Sequence, residues 1–336
     1  MQITEPLRSS GEFSFPWTKE KIRRYLATHN RRVAVQGNLP LRLAVWLAVR
    51  LARSLSWEGA YRLGGWIGRA LYGLKVRRPV AMTNLDIVFG ESKTASEKDD
   101  IYRRSLLNFG RQAINYLRIP LMDEAFWRDC FKLENEHVLH NAYNQGRGVV
   151  FLYMHFGPWE LPGGKISFAG YPISVVAKKI KNPVIDKLVV EARDAMGLGT
   201  IAHRDSMERI RAGLARGEGV IMVIDQNMKR SQGMFVEWLG RAASTPRSTA
   251  WIVRETGAPV ISGYAVQSGP RQFKMVLTEE VMWIADEDPQ EELRLNTQRY
   301  VDDVQRHIYA MPEQWFWLHR RWKIQPEGVE NPYRDK

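Results

Sequence analysis

GVVFLYMHFGPWELPGGKISF, residues 148–168, holds the change of rhythm from which this chain is best read. Gly148–Tyr153 is a short apolar run rich in Val and Phe, with no polar alternation, as in a strand buried on both faces. Gly157 and Pro158 then make a turn, and Pro158 suits a helix start just before Trp159. A helical pattern follows over Trp159–Phe168. The same strand type recurs at Pro172–Ala177, Gly219–Ile224 and Ala258–Tyr264. Helical patterns lie between them at Pro183–Met196, Ser206–Arg216 and Ser248–Thr256, with Asn182-Pro183 and Arg247-Ser248 as helix starts. Alternation of this kind predicts an α/β fold, a mostly parallel central sheet flanked by helices. Gln272–Leu277 adds a strand and Glu291–Tyr309 a closing helix. Upstream, helices are expected at Ser96–Leu117, Asp123–Cys130 and Glu136–Asn144, with a short strand at Phe131–Glu134.

The amino-terminal part differs in charge. Of 49 basic and 37 acidic residues, 15 basic and 4 acidic fall in residues 1–80; the other 256 residues are nearly balanced, with 34 and 33. An excess gathered at one end needs an anionic partner, nucleic acid or membrane. Leu39–Leu74 is the most apolar segment, but Arg42, Arg50, Arg53, Arg62 and Arg69 interrupt it. An arginine at the bilayer centre costs roughly 2.5–3.5 kcal/mol, so a spanning helix is rejected. Arg42, Arg50 and Arg53 cluster on one flank of a helix, and Leu43, Trp46, Leu47 and Leu51 on another. That pattern fits a helix lying among lipid headgroups or one packed on its own core, and the charge excess favours the membrane surface. The expected organisation is a basic segment at 1–38, a membrane-interface amphipathic helical extension at 39–79, and an α/β domain at 80–336. Residues 1–38 have no signal-peptide pattern, and the single Cys130 allows no internal disulfide, so a cytoplasmic setting is expected.

His155 stands just past the end of a strand, where parallel α/β folds carry reactive groups. Glu160 follows five residues later, on the first turn of the next helix, close enough to fold back to the imidazole. A neutral imidazole is the side chain best tuned to take a proton from a hydroxyl near pH 7. A carboxylate on its other ring nitrogen fixes the tautomer and stabilises the imidazolium. No serine or cysteine nucleophile is required if the acceptor brings the hydroxyl, and the chain has no G-x-S-x-G elbow. The histidines show no metal-ligand spacing, and there is no phosphate loop or dinucleotide fingerprint. The chemistry calls for no metal and no cofactor.

Further motifs join HFGPWE. They are Asn182-Pro183 with Arg193 downstream, Asp225-Gln226 ending the strand GVIMVID, the stretch Phe235–Val260, and Pro312–Gly328 with Trp317-Leu318-His319-Arg320-Arg321. Together, residues from about Val80 to Tyr333 resemble the late acyltransferases of lipid A biosynthesis, the lauroyl/myristoyl transferase family, related to lysophospholipid acyltransferases. The resemblance implies that His155 is the general base and Glu160 its partner. It implies an acyl carrier protein thioester as donor, a hydroxyl of a lipid A precursor as acceptor, and the cytoplasmic face of the bacterial inner membrane as the location. It also implies an amino-terminal anchor; the arginines in 39–74 argue for peripheral attachment. Arg193 is a candidate for binding phosphate or the thioester oxyanion. Asp225 and Gln226 are candidates for bordering the cleft, and Lys178 and Lys179 for meeting lipid phosphate. Arg320 and Arg321 are candidates for touching an anionic headgroup or the acidic carrier. Trp315, Trp317 and Trp322 read as packing.

Two other readings remain open. The same motif would serve a lysophospholipid, an amino-acid lipid or another glycolipid, since it handles any hydroxyl. A basic nucleic-acid-binding or lipid-binding protein without catalysis is the reading from another class. Against nucleic acid, the excess charge lies among Leu and Trp and forms no recognisable DNA or RNA module.

Overall fold

The amino-terminal run of Leu, Trp and Arg folds as two helices rather than one, α1 (Leu39–Ser54) and α2 (Trp57–Gly73). The structure is a computed structural model and describes residues 39–178, 180–202 and 206–333. The break falls at Ser56, whose hydroxyl accepts the Gly59 N–H at 3.0 Å and caps α2. α3 (Arg78–Phe89) and α4 (Ala95–Arg118) follow. α4 starts on a capping box, in which Thr94 and Glu97 each accept the other's backbone N–H. α2 lies on α4 so closely that a Cβ at Gly68 would sit 2.5 Å from the Leu106 carbonyl oxygen.

α1 is held at its carboxyl end. Arg118, itself buried, donates to the carbonyls of Ala52 and Leu55 and stacks on Trp57. Arg53 turns inward to the Leu117 carbonyl at 2.9 Å. On the other flank of α1, Leu43, Trp46, Leu47 and Leu51 are each more than half exposed. Among the described residues, no helix is long and apolar enough to cross a membrane.

The stretch Asp123–Cys130 is helical as expected, but wound more widely than an α-helix. It carries a π-helical turn over Phe126–Cys130, which buries the adjacent Phe126 and Trp127 and leads straight into β1 (Phe131–Glu134). Then come α5 (Glu136–Asn144), β2 (Val149–Tyr153), α6 (Leu161–Phe168), β3 (Ile173–Ala177), α7 (Pro183–Ala195), β4 (Gly199–Ala202), α8 (Ser206–Ala215) and β5 (Gly219–Val223). Asn182 caps α7 by accepting the N–H groups of Val184 and Ile185, with Pro183 beginning the helix. A hairpin of β6 (Gly233–Trp238) and β7 (Arg241–Pro246) stands outside the main sheet. Its two turn residues, Leu239 and Gly240, both have positive φ, the geometry that matches strand twist in a two-residue hairpin loop. α9 (Ser248–Thr256), β8 (Val260–Gly269), β9 (Gln272–Leu277) and α10 (Pro289–Ala310) follow.

The main sheet has seven strands in the order β1-β9-β8-β2-β5-β3-β4. All neighbours are parallel except β8 and β9. The fold is therefore the α/β class that the alternation predicts, a mostly parallel sheet covered by helices. β2 lies at its centre and is buried at all five positions. Chain order reverses beside it. From β2 the chain moves out to β3 and β4, then returns through β5 to lie against β2. A crevice opens at such a switch point, outside the carboxyl ends of the strands.

Candidate active site

β2 and β5 are paired so that Tyr153 faces Val223, the last residue of each strand. The residues two positions on, His155 and Asp225, are brought together by that register. His155 donates its backbone N–H to Asp225 Oδ2 at 2.8 Å, and its ring Nδ1 lies 2.9 Å from Asp225 Oδ1. Trp315 donates its indole N–H to the same Oδ2 at 2.9 Å. Three donors thus fix one carboxylate that is only 3% exposed. Burial alone would raise the Asp225 pKa; the charge of His155 and these hydrogen bonds reverse that and hold it at about 2. Burial likewise works to lower the His155 pKa, but the charge and hydrogen bond of Asp225, with the charge of Glu160, raise it above the usual 6.5. With its Nδ1 proton committed to Asp225, the ring keeps its lone pair on Nε2, 3.2 Å from the side-chain nitrogen of Gln226. The imidazole is partly exposed, and Trp159 and Phe316 stand beside it.

The turn carrying His155 is rigid for reasons visible in HFGPWE. Gly157 has φ +53°, and a Cβ there would meet the Ala265 carbonyl oxygen at 2.1 Å, so only glycine fits. The carboxyl-terminal segment pairs with the turn through its backbone. Gly157 donates to the Gln314 carbonyl at 2.9 Å and Phe316 to the His155 carbonyl at 3.0 Å, and Phe156 bridges Trp315. Asn84 anchors that segment in turn, donating to the carbonyls of Trp317 and His319.

Several expected roles change. The carboxylate on the imidazole is Asp225, whereas Glu160 makes no hydrogen bond to His155. Glu160 sits at the start of α6, a turn away, and faces Arg193 at 3.7 Å on α7. Asp225 was expected to border the cleft; it is shut behind His155 instead. Arg193 is 8% exposed with a buried, unpartnered Nε. Gln226 reaches the site beside the imidazole. Lys178 is exposed at the end of β3, and Lys179 lies outside the described residues. Arg320 is partly buried over the Tyr333 ring. Arg321 is fully buried, donating to the Ser244 carbonyl and the Thr245 hydroxyl and stacking on Trp238, so it cannot touch a headgroup or a carrier protein. Trp317 and Trp322 are buried, as packing requires, but Trp315 also holds Asp225, a contact the sequence reading missed.

Two cavities are formed by neighbouring elements, neither of them lined by His155 or Asp225 themselves. One, of about 250 Å³, lies between α4 and the start of α6, lined mostly by apolar atoms of Phe109, Ala113, Tyr116, Trp159 and Leu161, with Glu160 among its walls. The other, of about 820 Å³, opens at the carboxyl ends of β3 and β5 and is lined by Val176, Met222, Met228, Arg247 and Trp251 among others. Among the described residues, no group of three or more His, Cys, Asp or Glu could hold a metal ion.

An imidazole backed by a buried carboxylate, at the switch point of a mostly parallel sheet, suits an α/β transferase that activates a hydroxyl of its substrate. The chain belongs to the bacterial lipid A biosynthesis acyltransferase family, whose model matches residues 31–324. It is an acyltransferase acting on a lipid acceptor. Among similar proteins, the lipid A biosynthesis lauroyltransferase of Escherichia coli is 25% identical over 299 residues, 86% of this chain and 92% of that one. The lipid A biosynthesis palmitoleoyltransferase of the same organism is 23% identical over 262 residues, 77% and 83% of the two chains. The phosphatidylinositol mannoside acyltransferase of Mycolicibacterium smegmatis is 24% identical over 284 residues, 83% and 89%.

Proposed function

We propose that the protein transfers a fatty acyl chain from an acyl carrier protein thioester to a hydroxyl of a lipid A precursor, with His155 as general base. The observation that carries this reading is the imidazole itself, partly exposed, with Nδ1 committed to buried Asp225 and its lone pair left on Nε2, where the Gln226 amide nitrogen lies at 3.2 Å and must give way to a substrate hydroxyl. In the proposed reaction Nε2 removes the hydroxyl proton as the oxygen attacks the thioester carbonyl. The C–O bond forms, the C–S bond breaks, and the imidazolium returns the proton to the departing thiolate. The apolar cavity between α4 and α6 is of a kind to take the acyl chain. Arg193, paired with Glu160, which lines that cavity, is suited to stabilise the oxyanion. The chemistry needs no cofactor.

The direct test supplies the purified protein with acyl carrier protein and coenzyme A thioesters and a lipid A precursor, and follows the products by mass spectrometry. The expected product is one added acyl ester on the precursor, formed faster from the carrier protein thioester. A product only on a phosphatidylinositol mannoside or a lysophospholipid would move the reading to another acceptor. The similarity to the mycolicibacterial enzyme is the specific reason to include the first of these.

We infer further that α1 docks on an anionic membrane surface, the inner leaflet of the bacterial inner membrane. Its support is a row of exposed Leu43, Trp46, Leu47 and Leu51 beside Arg42 and Arg50. Replacing both Trp46 and Leu47 by glutamate should lower binding to vesicles rich in phosphatidylglycerol by at least about tenfold, since each loses roughly 2 kcal/mol of apolar burial. Co-sedimentation measures it, and unchanged binding would place the interface elsewhere.

A further inference from the structure

Trp315 is 1% exposed and would pass for core, yet its indole N–H is spent on the one carboxylate that holds the catalytic histidine. Asp225 Oδ2 accepts from that indole and from the His155 backbone N–H, while Oδ1 faces the imidazole. With two donors on one oxygen, the carboxylate plane cannot rotate without breaking both bonds. Trp315 is fixed in turn by the backbone pairing of Gln314–Phe316 with the His155 turn, and by edge contacts with Trp317 and Trp322. Trp238 packs on it at 5.9 Å between ring centroids, and the Arg321 guanidinium lies 4.6 Å from the Trp238 ring.

We propose that Trp315 is a positioning residue for acyl transfer: its indole N–H aims the Asp225 carboxylate at Nδ1 of His155 and draws charge from it, setting how basic Nε2 is. This rests on the general-base reading of His155 above. A hydrogen bond withdrawn from a carboxylate leaves the remaining bonds to it stronger, so loss of the indole N–H should make the imidazolium more stable and the free base scarcer. The other charged and titratable groups around the pair are Glu160 from the start of α6, Arg193 from α7, and His319 and Arg321 from the carboxyl-terminal segment. Arg77, ahead of α3, acts on His319. Burial keeps His319 neutral down to about pH 4, so it does not titrate in the range where His155 does.

The test is a titration of His155 by NMR in protein carrying ring-labelled histidine, the resonance being assigned by its loss in His155→Ala. Trp315→Phe keeps most of the buried ring and lacks the N–H. Its His155 pKa should rise by about one unit, and the acid limb of kcat/KM should move up with it. At neutral pH kcat should fall about tenfold, with KM for the thioester little changed. Trp127→Phe is the comparator, because Trp127 is also buried but packs on Phe126 and Phe131, with no ring contact to Trp315. It should leave the His155 titration in place. An unchanged titration in Trp315→Phe, or the same change in both variants, overturns the proposal. If Trp315→Phe fails to fold, the wild-type protein still answers: the Trp315 indole resonance should titrate with the pKa of His155, and a flat response overturns it. Absence of any acyl transfer by the wild type would instead count against the general-base reading and leave the NMR result standing.

Discussion

His155→Ala should lower kcat by about 10³–10⁴, at the upper end of what a positioned general base contributes, and leave the fold in place. The loss is large because, among the described residues, no neighbour of His155 can replace it: Asp225 is sealed behind it with its charge held by three donors, and burial pushes the pKa of partly buried His319 down to about 4, leaving it too weak a base. The fold should survive because the turn is held by backbone pairing with Gln314–Phe316 and by Asn84. Asp225 would lose one partner of three, a cost on the order of 1–3 kcal/mol. The pH dependence carries the same signature. Asp225 raises the His155 pKa above 6.5, and only the neutral ring is a base. Activity of the wild type should therefore climb through an acid limb centred above 6.5, and the residual activity of His155→Ala should lack that limb. Stability should run the other way. The raised pKa means the protonated ring stabilises the fold below its ordinary pKa, a contribution lost as pH rises through the folded value. Asp225 contributes above its ordinary value, and that contribution disappears as pH falls toward about 2. A His155→Ala protein with near wild-type kcat, measured beside an unchanged circular dichroism spectrum, would remove His155 from the reaction.

Much of the fold was legible because local rules and tertiary packing agree. Buried strands such as Val149–Tyr153 carry no competing periodicity, and Asn182-Pro183 is both a cap and a helix start. What stayed hidden is where two levels part. The hairpin Gly233–Pro246 pairs through an Ala- and Ser-rich strand with little β propensity, its turn using Leu239 at positive φ. β4 is only four residues long. In the site, His155 was legible from its place after a strand, whereas its partner was not. HFGPWE puts a carboxylate five residues along the chain, and local spacing favours it. Asp225 lies 70 residues away and reaches His155 only because β5 sits next to β2, an adjacency set by sheet order and not by any motif. The two strands, GVVFLY and GVIMVI, both open on Gly-Val, but nothing in either run marks the other as its neighbour in the sheet. Trp315 and Arg321 were misread for a simpler reason. Burial is not written in a residue's type, so a tryptophan that donates and an arginine sealed in the interior look the same in sequence as a packing ring and a surface charge.

Asp225→Asn should cost about 10³–10⁴ in kcat, far more than Glu160→Gln, which should cost about tenfold or less. The amide has the shape of the carboxylate but only one accepting atom. At this position two donors, the His155 backbone N–H and the Trp315 indole, converge on Oδ2. The amide oxygen must take that side, because an NH₂ placed there would face two other N–H groups. Its NH₂ then points at Nδ1 of His155, which can only accept. The ring proton is driven to Nε2, and the nitrogen that should receive the hydroxyl proton already carries one. Glu160 has no such hold on the ring. It acts on His155 through its charge alone, and its nearest partner is Arg193 at 3.7 Å. Neutralising it should lower the His155 pKa slightly and loosen Arg193, changing KM for the thioester as much as kcat. The two variants therefore rank the carboxylates directly. Steady-state kinetics at a pH above the acid limb of each variant separates loss of the base from a shift in its titration. If Glu160→Gln proves the more damaging there, the hydrogen-bonded pair is not the catalytic one, and the carboxylate that the local spacing favoured takes its place.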